Sequence, residues 1–343
     1  MNELFKEDNE ILKNRIDINC FKNKKILITG ATGLIGINLI SFLESINDDD
    51  ISVYIIHKND LEFYFRGRFY KLQKDLTEID LNSYVDKNHF DIIFHLATYG
   101  QPRKMFSKNL SNDILQTQLN TINLNTKVIM NLFEVLKPGG KFLFMSTSEL
   151  YQGLDGDLTE DKIGTTNTIH PRSSYIEAKK CGETICNIYN NMGYDVKILR
   201  LCLAYGIGVK MSDKRVLNDF ITKAMNEGEI RLLDKGIAQR SYCYASDILE
   251  MMFNILFKGK DLIYNVGGIE DISISELATK ISNKLNVNLV IPEIEDNATI
   301  GAVQNVKLNI DKYINEFGNK KFVSIDNGIN KTIKWFEFLK RGF

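Results

Sequence analysis

Ile26-Leu27-Ile28-Thr29-Gly30-Ala31-Thr32-Gly33-Leu34-Ile35-Gly36 is the stretch that decides the fold. Lys25–Thr29 is an apolar run of strand length, and a helical pattern follows from Leu34 to Ile46. Between them Gly30 permits a tight turn, and Gly33 lets the backbone come close to a bound group. Gly36 lets the helix pack hard against the strand. The first amides of that helix have no carbonyl of their own to meet, which suits a pyrophosphate. Three glycines alone are weak evidence, but their place between strand and helix makes them a dinucleotide-binding pattern. Thr32, Leu34 and Ile35 join Gly30, Gly33 and Gly36 as candidate cofactor contacts.

Outward from this turn, strands alternate with helices. Ser52–Ile56, Asp91–His95, Lys141–Ser146 and Asp195–Leu201 read as strands. Helices fit Ile114–Leu136, which stops before Pro138-Gly139-Gly140, and Tyr175–Met192. Such alternation predicts an α/β fold, a doubly wound parallel sheet with helices on both faces. The second half is less regular. Helices fit Arg215–Glu227, Asp247–Leu256, Ser275–Leu285 and Ile325–Leu339, and short strands fit Ile230–Leu232 and Tyr264–Val266. The division expected is an amino-terminal extension over 1–24, a cofactor domain mainly over 25–200, and an interleaved substrate lobe mainly over 201–343.

Composition narrows the function. The 343 residues are 44% hydrophobic and carry 43 Lys plus Arg against 44 Asp plus Glu, a net charge of −1. That balance argues against nucleic acid as the main partner. No run of 18 apolar residues suggests a transmembrane helix, and Met1–Glu10 is polar, with no signal-peptide core. The five cysteines form no C-x-x-C pair and read as buried free thiols of a cytoplasmic protein. The four histidines lack zinc-ligand spacing, so no metal is expected.

The end of the second strand would meet the ribose of a dinucleotide. An acid there binds the 2′-hydroxyl of NAD. Here His57-Lys58-Asn59 occupies the place, with Asp60 next. Basic groups at that point suit the 2′-phosphate of NADP, or they are simply solvated. Asp75-Leu76 offers an acceptor to an adenine amino group, and Asp75 is equally good as a turn residue.

Tyr175-x-x-x-Lys179 puts a phenol and an ammonium on one helix face. A nearby cation favours phenolate, so the spacing predicts a depressed phenol and a base for a hydroxyl proton. The spacing recurs at Tyr54 and Tyr70, but Tyr54 sits in a strand and Tyr70 in an irregular polar stretch. Only Tyr175 opens a helix, about 30 residues after Ser146-Thr147-Ser148-Glu149-Leu150-Tyr151. That strand end supplies Thr147 to share a substrate hydroxyl, or else to cap the next turn.

With these residues the chain resembles the extended short-chain dehydrogenase/reductases that modify nucleotide sugars, the epimerase/dehydratase group. The resemblance spans roughly Lys24 to Leu339. It rests on the Gly30/Gly33/Gly36 turn, His95-Leu96-Ala97, Ser146–Tyr151, Tyr175/Lys179, Arg200–Gly206, Arg240–Asp247 and Tyr264-Asn265-Val266-Gly267. It implies a Rossmann domain with a smaller carboxy-terminal lobe that clamps the nucleotide. It also implies a tightly bound NAD touching Leu96, Ala97 and Thr98 as well as Tyr175 and Lys179. A homodimer through the helix 114–136 is expected too.

Within the group the text is most similar to UDP-glucuronate decarboxylases. Thr147-Ser148-Glu149-Leu150-Tyr151, Pro171–Lys179 and Met211–Phe220 carry that similarity. It implies Thr147, Ser148, Glu149, Tyr175 and Lys179 as catalytic residues. It implies Arg172, Arg215, Arg240 and Tyr242 on a nucleotide-diphosphate sugar, the arginines suited to gripping phosphate. The reaction implied is oxidation at the sugar C4 followed by loss of the C6 carboxylate. A 4,6-dehydratase would need an acid where Ser148 stands. Leu203 takes the place of an Asn of the decarboxylases, Gln152 that of a Gly, and the loop Tyr99–Arg103 differs from their usual text. An epimerase, a dehydratase or an NADPH-dependent 4-keto reductase therefore stays open, as does a non-catalytic NAD(P) sensor, against which the Thr147/Tyr175/Lys179 set counts.

Overall fold

A computed structural model describes residues 3–46, 50–58, 69–99, 111–293 and 305–341. Asn59, Asp60 and Gly100–Arg103, singled out above, lie outside the described residues. In chain order the sheet strands are β1 (Lys25–Thr29), β2 (Ser52–His57), β3 (Phe69–Gln73), β4 (Phe90–His95) and β5 (Leu136–Thr147). They are followed by β6 (Gly156–Leu158), β7 (Asp195–Leu201), β8 (Leu203–Tyr205), β9 (Glu229–Arg231), β10 (Gln239–Tyr244) and β11 (Ile263–Val266). β12 (Asp271–Ser273), β13 (Asn288–Val290) and β14 (Asn305–Leu308) complete them.

One parallel sheet of seven strands runs in the order β11-β7-β5-β4-β1-β2-β3. The chain winds outward from β1 in both directions, the topology that leaves a crevice at the carboxyl ends beside β1 and β4. Central strands are buried along almost their whole length, as a sheet covered on both faces requires. β11 comes from the second half of the chain yet pairs with β7. A smaller sheet joins β12, β10, β14 and β6, with β8 beside β10.

The covering helices are α1 (Glu3–Arg15), α2 (Leu34–Ile46), α3 (Asn112–Asn125), α4 (Lys127–Val135) and α5 (Ser173–Asn191). The remainder are α6 (Val216–Glu227), α7 (Ala245–Lys258), α8 (Ile274–Leu285), α9 (Asp311–Phe317) and α10 (Ile325–Lys340). None is long and apolar enough to cross a membrane among the described residues.

Three expectations need correction. The single helix over 114–136 is broken at Thr126, whose φ of −128° and ψ of −85° leave the helical region. The run before it is rich in Asn and Thr, and Thr121, Asn125 and Thr126 bond the carbonyls one turn back, which loosens a helix. The Leu124 carbonyl is taken instead by the buried His95 Nε2 at 2.9 Å. Tyr70 lies not in irregular chain but in β3, its ring stacked on Tyr54 at 4.5 Å. Not every thiol is buried: Cys181 is exposed and Cys20 half-buried, although all five are free.

The segment before β1 is a docked helix. Phe5 and Leu12 of α1 are buried, and the Phe5 ring meets Trp335 of α10 edge-on at 5.6 Å. Asp8, also buried, accepts from Lys331 Nζ at 2.6 Å and from the Tyr244 hydroxyl at 2.9 Å. Arg15 reaches Glu250 of α7 at 2.9 Å. Burial pushes the Asp8 carboxyl up against the pull of Lys331, which marks it as a group whose desolvation is only partly repaid.

Candidate active site

A cleft of about 380 Å³ opens at the carboxyl ends of the central strands. One wall is the β1–α2 turn, with Gly30, Thr32, Gly33, Leu34, Ile35 and Gly36. Gly30 has a φ of +75°, and an added Cβ would meet the Ala97 amide at 2.5 Å. At Gly36 it would meet the Gly30 carbonyl at 2.4 Å, so the helix sits as close to the strand as its spacing predicts. At Gly33 the nearest atom within reach is the Gly30 carbonyl, at 3.3 Å, and the rest is open to the cleft. Such a cradle beside the unshared amides of a helix start fits the pyrophosphate of NAD.

Leu96 and Thr98 after β4 border the same cleft, and Ala97 donates its amide to Thr29 Oγ1 at 3.4 Å. The Thr29 hydroxyl meets His95 Nδ1 at 2.8 Å. Burial, and then the charge of Lys179, holds His95 down to about 3, so it stays neutral and ties β1, β4 and α3 together.

The residues proposed for the adenosine end form a separate cluster. Lys58 pairs with Asp75 at 2.7 Å, and the Tyr99 hydroxyl lies 3.4 Å from the same ammonium. Asp75 also accepts from the Thr77 amide and hydroxyl, the turn role weighed for it. Burial pushes its carboxyl up, but Lys58 and Thr77 outweigh that and hold it low. His57 and Leu76 are buried beside them.

The catalytic candidates converge. Ser146, Thr147, Ser148 and Glu149 at the end of β5 share the cleft wall with Tyr175. Thr147 takes the capping role weighed for it. Its hydroxyl accepts from the Glu149 amide at 3.2 Å, capping a short 3₁₀ turn, and it also bonds the Tyr175 phenol. Lys179 is buried one turn along α5 and donates to the Met145 carbonyl at 2.6 Å. Burial lowers its ammonium to about 7.

The depressed phenol does not appear. Burial, then the nearby Glu149 carboxylate, pushes Tyr175 up to about 12, and Thr147, Arg172 and Arg215 only partly oppose this. The cation over its ring is Arg172, 4.3 Å from the centroid. Arg172 precedes the helix and is itself buried, and its guanidinium grips Glu149 with two bonds, one of 2.8 Å through Nε. Arg172 and Glu149, read apart as substrate and catalytic residues, are therefore one ion pair beside the phenol.

Arg215 stands just before α6 and borders the same cleft. Its guanidinium meets Asp213 at 3.0 and 2.5 Å. Arg240 and Tyr242 lie on β10 and do not themselves border the cleft, although Tyr242 pairs with the cleft residue Leu203. The Arg240 guanidinium donates to the Gln239 carbonyl at 2.7 Å. The Tyr242 hydroxyl is buried with no hydrogen-bond partner among the described residues, and burial pushes it up.

Sequence reasoning missed the support beneath the site. Ser146 donates to Glu183 at 2.6 Å, and Glu183 pairs with Arg200 at 2.8 Å. Arg200 also reaches the Tyr151 hydroxyl at 3.0 Å, and Tyr151 donates to Asn265 at 2.7 Å. This buried chain links β5, α5, β7 and β11. Its signal was Glu183 one turn beyond Lys179 on the same helix, with Arg200 in the apolar end of β7.

Against this geometry the comparisons can be set. UDP-glucuronic acid decarboxylase 1 of Danio rerio is 26% identical over 329 residues, which is 91% of this chain and 72% of that protein. The dTDP-4-dehydro-6-deoxyglucose reductase of Escherichia coli is 28% identical over 321 residues, 90% of this chain and 96% of the relative. The crystal structure of UDP-glucuronic acid 4-epimerase from Bacillus cereus, in complex with UDP-glucuronic acid and NAD, shares the fold. Its TM-score is 0.75 at 23% identity, covering 92% of this chain and 99% of that one. The family profile matches residues 26–267, from the first core strand through β11 to Gly267. The glycine cradle, the joined Thr147, Tyr175 and Lys179, and that match place the chain in the NAD dependent epimerase/dehydratase family.

Proposed function

We propose that this enzyme oxidises the C4 hydroxyl of a nucleotide-diphosphate sugar and, in the manner of UDP-glucuronate decarboxylases, then loses the C6 carboxylate as carbon dioxide. The observation that carries the proposal is the meeting of Thr147, Tyr175 and Glu149 on one wall of the cleft that the glycine turn borders. NAD, when bound, supplies the acceptor for the C4 hydride. The portion 25–200 holds it, through Gly30, Gly33 and the amides of Leu34, Ile35 and Gly36, while 201–343 clamps the nucleotide.

Tyr175 takes the proton of the C4 hydroxyl, and Thr147 shares that hydroxyl from the other side. Lys179, anchored to the Met145 carbonyl, sets the pitch of α5 beneath the phenol. A ketone at C4 stabilises the electron pair left at C5 when carbon dioxide departs; that pair then takes a proton, and the hydride first removed returns to C4, so that no cofactor is consumed. Glu149, held by Arg172, is the carboxylate placed to act at C5. Arg215 meets the diphosphate, with Arg240 and the unsatisfied Tyr242 hydroxyl deeper in the same lobe.

Incubation of the purified enzyme with UDP-glucuronate and NAD tests this. Carbon dioxide release with no net change of nicotinamide absorbance supports it. A recovered stereoisomer of unchanged mass would replace it with epimerisation, and loss of water with dehydration. Consumption of added NADPH by a 4-keto sugar would replace it with reduction. The apolar Leu203 on the cleft wall, where the decarboxylases carry Asn, favours a sibling sugar as the second reading.

The same reading includes a cytoplasmic homodimer. Leu115, Leu119 and Ile122 stand exposed at helical spacing on α3, with Met130 on α4, Ile188 on α5 and Met192 just after it. Leu119→Glu should convert a dimer to a monomer in light scattering; a wild-type monomer would refute the assignment.

A further inference from the structure

We propose that Lys210 is a diphosphate-binding residue of the cleft, its ammonium meeting the anionic bridge of a bound nucleotide. The proposal rests on the reading above that the cleft takes a dinucleotide and a nucleoside-diphosphate sugar.

Four charged side chains border the cleft among the described residues: Glu149, Lys210, Asp213 and Arg215. Three of them are already matched. Glu149 is gripped by Arg172, and Asp213 is locked to Arg215. Lys210 has neither a hydrogen-bond nor an ion-pair partner for its side chain among the described residues. A cation left unmatched on a concave wall, where two other pairs neutralise themselves, is an attractor for anions.

Its backbone is firmly placed. Asn38 of α2 donates to the Ile207 carbonyl at 2.8 Å, and Trp335 Nε1 to the Val209 carbonyl at 2.7 Å. A Cβ on Gly208 would meet Ile37 and Asn38 at 3.1 and 3.2 Å. The Asp213 amide closes a turn onto the Lys210 carbonyl at 2.9 Å, and Asp213 then fixes Arg215 at the start of α6. The turn therefore runs from the flank of α2, the helix whose start forms the glycine cradle, to Arg215 at the start of α6, with Lys210 between them. A diphosphate, the anion that cradle suits, is accordingly the anion expected at Lys210. The dinucleotide and the nucleoside-diphosphate sugar both carry one.

Calorimetry of the full chain with UDP and, separately, with NAD tests the proposal, using wild type, Lys210→Gln, Lys210→Arg and Arg215→Ala. Lys210→Gln should weaken one of the two ligands about tenfold or more, the loss of one charge-assisted contact. Its remaining affinity should fall less steeply with added salt, and Lys210→Arg should restore most of the binding. Weakened UDP assigns Lys210 to the nucleotide sugar, and weakened NAD assigns it to the dinucleotide. Unchanged affinity for both ligands in Lys210→Gln, while Arg215→Ala loses UDP, overturns the proposal and leaves the cleft assignment standing. A wild type that binds neither ligand overturns the cleft assignment and this inference with it.

Discussion

Arg172→Leu separates the electrostatic role of the Arg172–Glu149 pair from its packing. Leucine keeps apolar volume against the Tyr175 ring while removing the charge. Two losses follow for stability. A charge-assisted hydrogen-bonded contact contributes about 1.5–3 kcal/mol, and a cation over an aromatic face about 0.5–1 kcal/mol. Glu149 is 38% exposed on its side chain, so it can rehydrate once released, and solvent screening pulls the total toward the lower end. A loss of about 2–3 kcal/mol is expected, a fall of several degrees in Tm for a chain of this size. Activity should respond by a different route. Arg172 lowers the Tyr175 phenol and Glu149 raises it. Removing the guanidinium deletes the lowering influence and leaves the carboxylate uncompensated, so the phenol moves further above about 12. Less phenolate is available at any given pH, and the rising limb of the rate–pH profile should shift to higher pH. Glu149→Gln should shift that limb the opposite way, even though its turnover falls. Scanning calorimetry and single-turnover rates across the alkaline range read both effects. Limbs that move in the same direction in the two variants would refute the electrostatic argument.

Other consequences are simpler to read. Tyr175→Phe should lower turnover by about 10²–10⁴, the contribution of a positioned base, while calorimetric affinity for UDP stays within a few-fold; near-normal turnover would remove Tyr175 from the chemistry. Glu183→Ala strands the buried Arg200 guanidinium and should cost about 3–5 kcal/mol in urea unfolding; a loss below 1 kcal/mol would mean that water replaces the carboxylate. Lys179 titrates near 7 folded and near 10.5 unfolded, so between those values the unfolded chain holds the extra proton. Its burial penalty is full below pH 7 and is relieved as pH rises to 10.5. The stability difference between Lys179→Met and wild type should therefore shrink across that window; a difference independent of pH would contradict the buried ammonium.

Some of this was legible from local pattern. Lys25–Thr29, Leu34–Ile46 and Asp195–Leu201 were read with the bounds they have, because a strand run, a glycine turn and an apolar stripe each declare themselves within a dozen residues. The break at Thr126 was not, since His95, 29 residues before Leu124, captures the Leu124 carbonyl that would have continued the helix. Likewise the i+4 spacing named Lys179 as the cation beside the phenol. The ring instead meets Arg172, which precedes the helix and which no helical periodicity ranks. Strands of three residues such as β6, β8 and β12 are too short to show alternation, so most of the smaller sheet was invisible. In α1 the apolar spacing is interrupted by Asp8, a buried acid that reads as a solvent-facing one until Lys331 and Tyr244 are seen to hold it.

That last arrangement sets a timetable for synthesis. Residues 8 and 331 are bonded to each other, so α1 leaves the ribosome long before α10, on which it docks. At roughly 5–20 residues per second, the intervening chain takes about 15–65 s to emerge. Through that interval Phe5 lacks the Trp335 ring that meets it, although α2 and α7, on which α1 also packs, emerge earlier. The final seat of α1, with Asp8 held by Lys331, therefore waits for α10. Nascent chains stalled before residue 325 should keep α1 open to protease, whereas chains released through residue 341 should protect it.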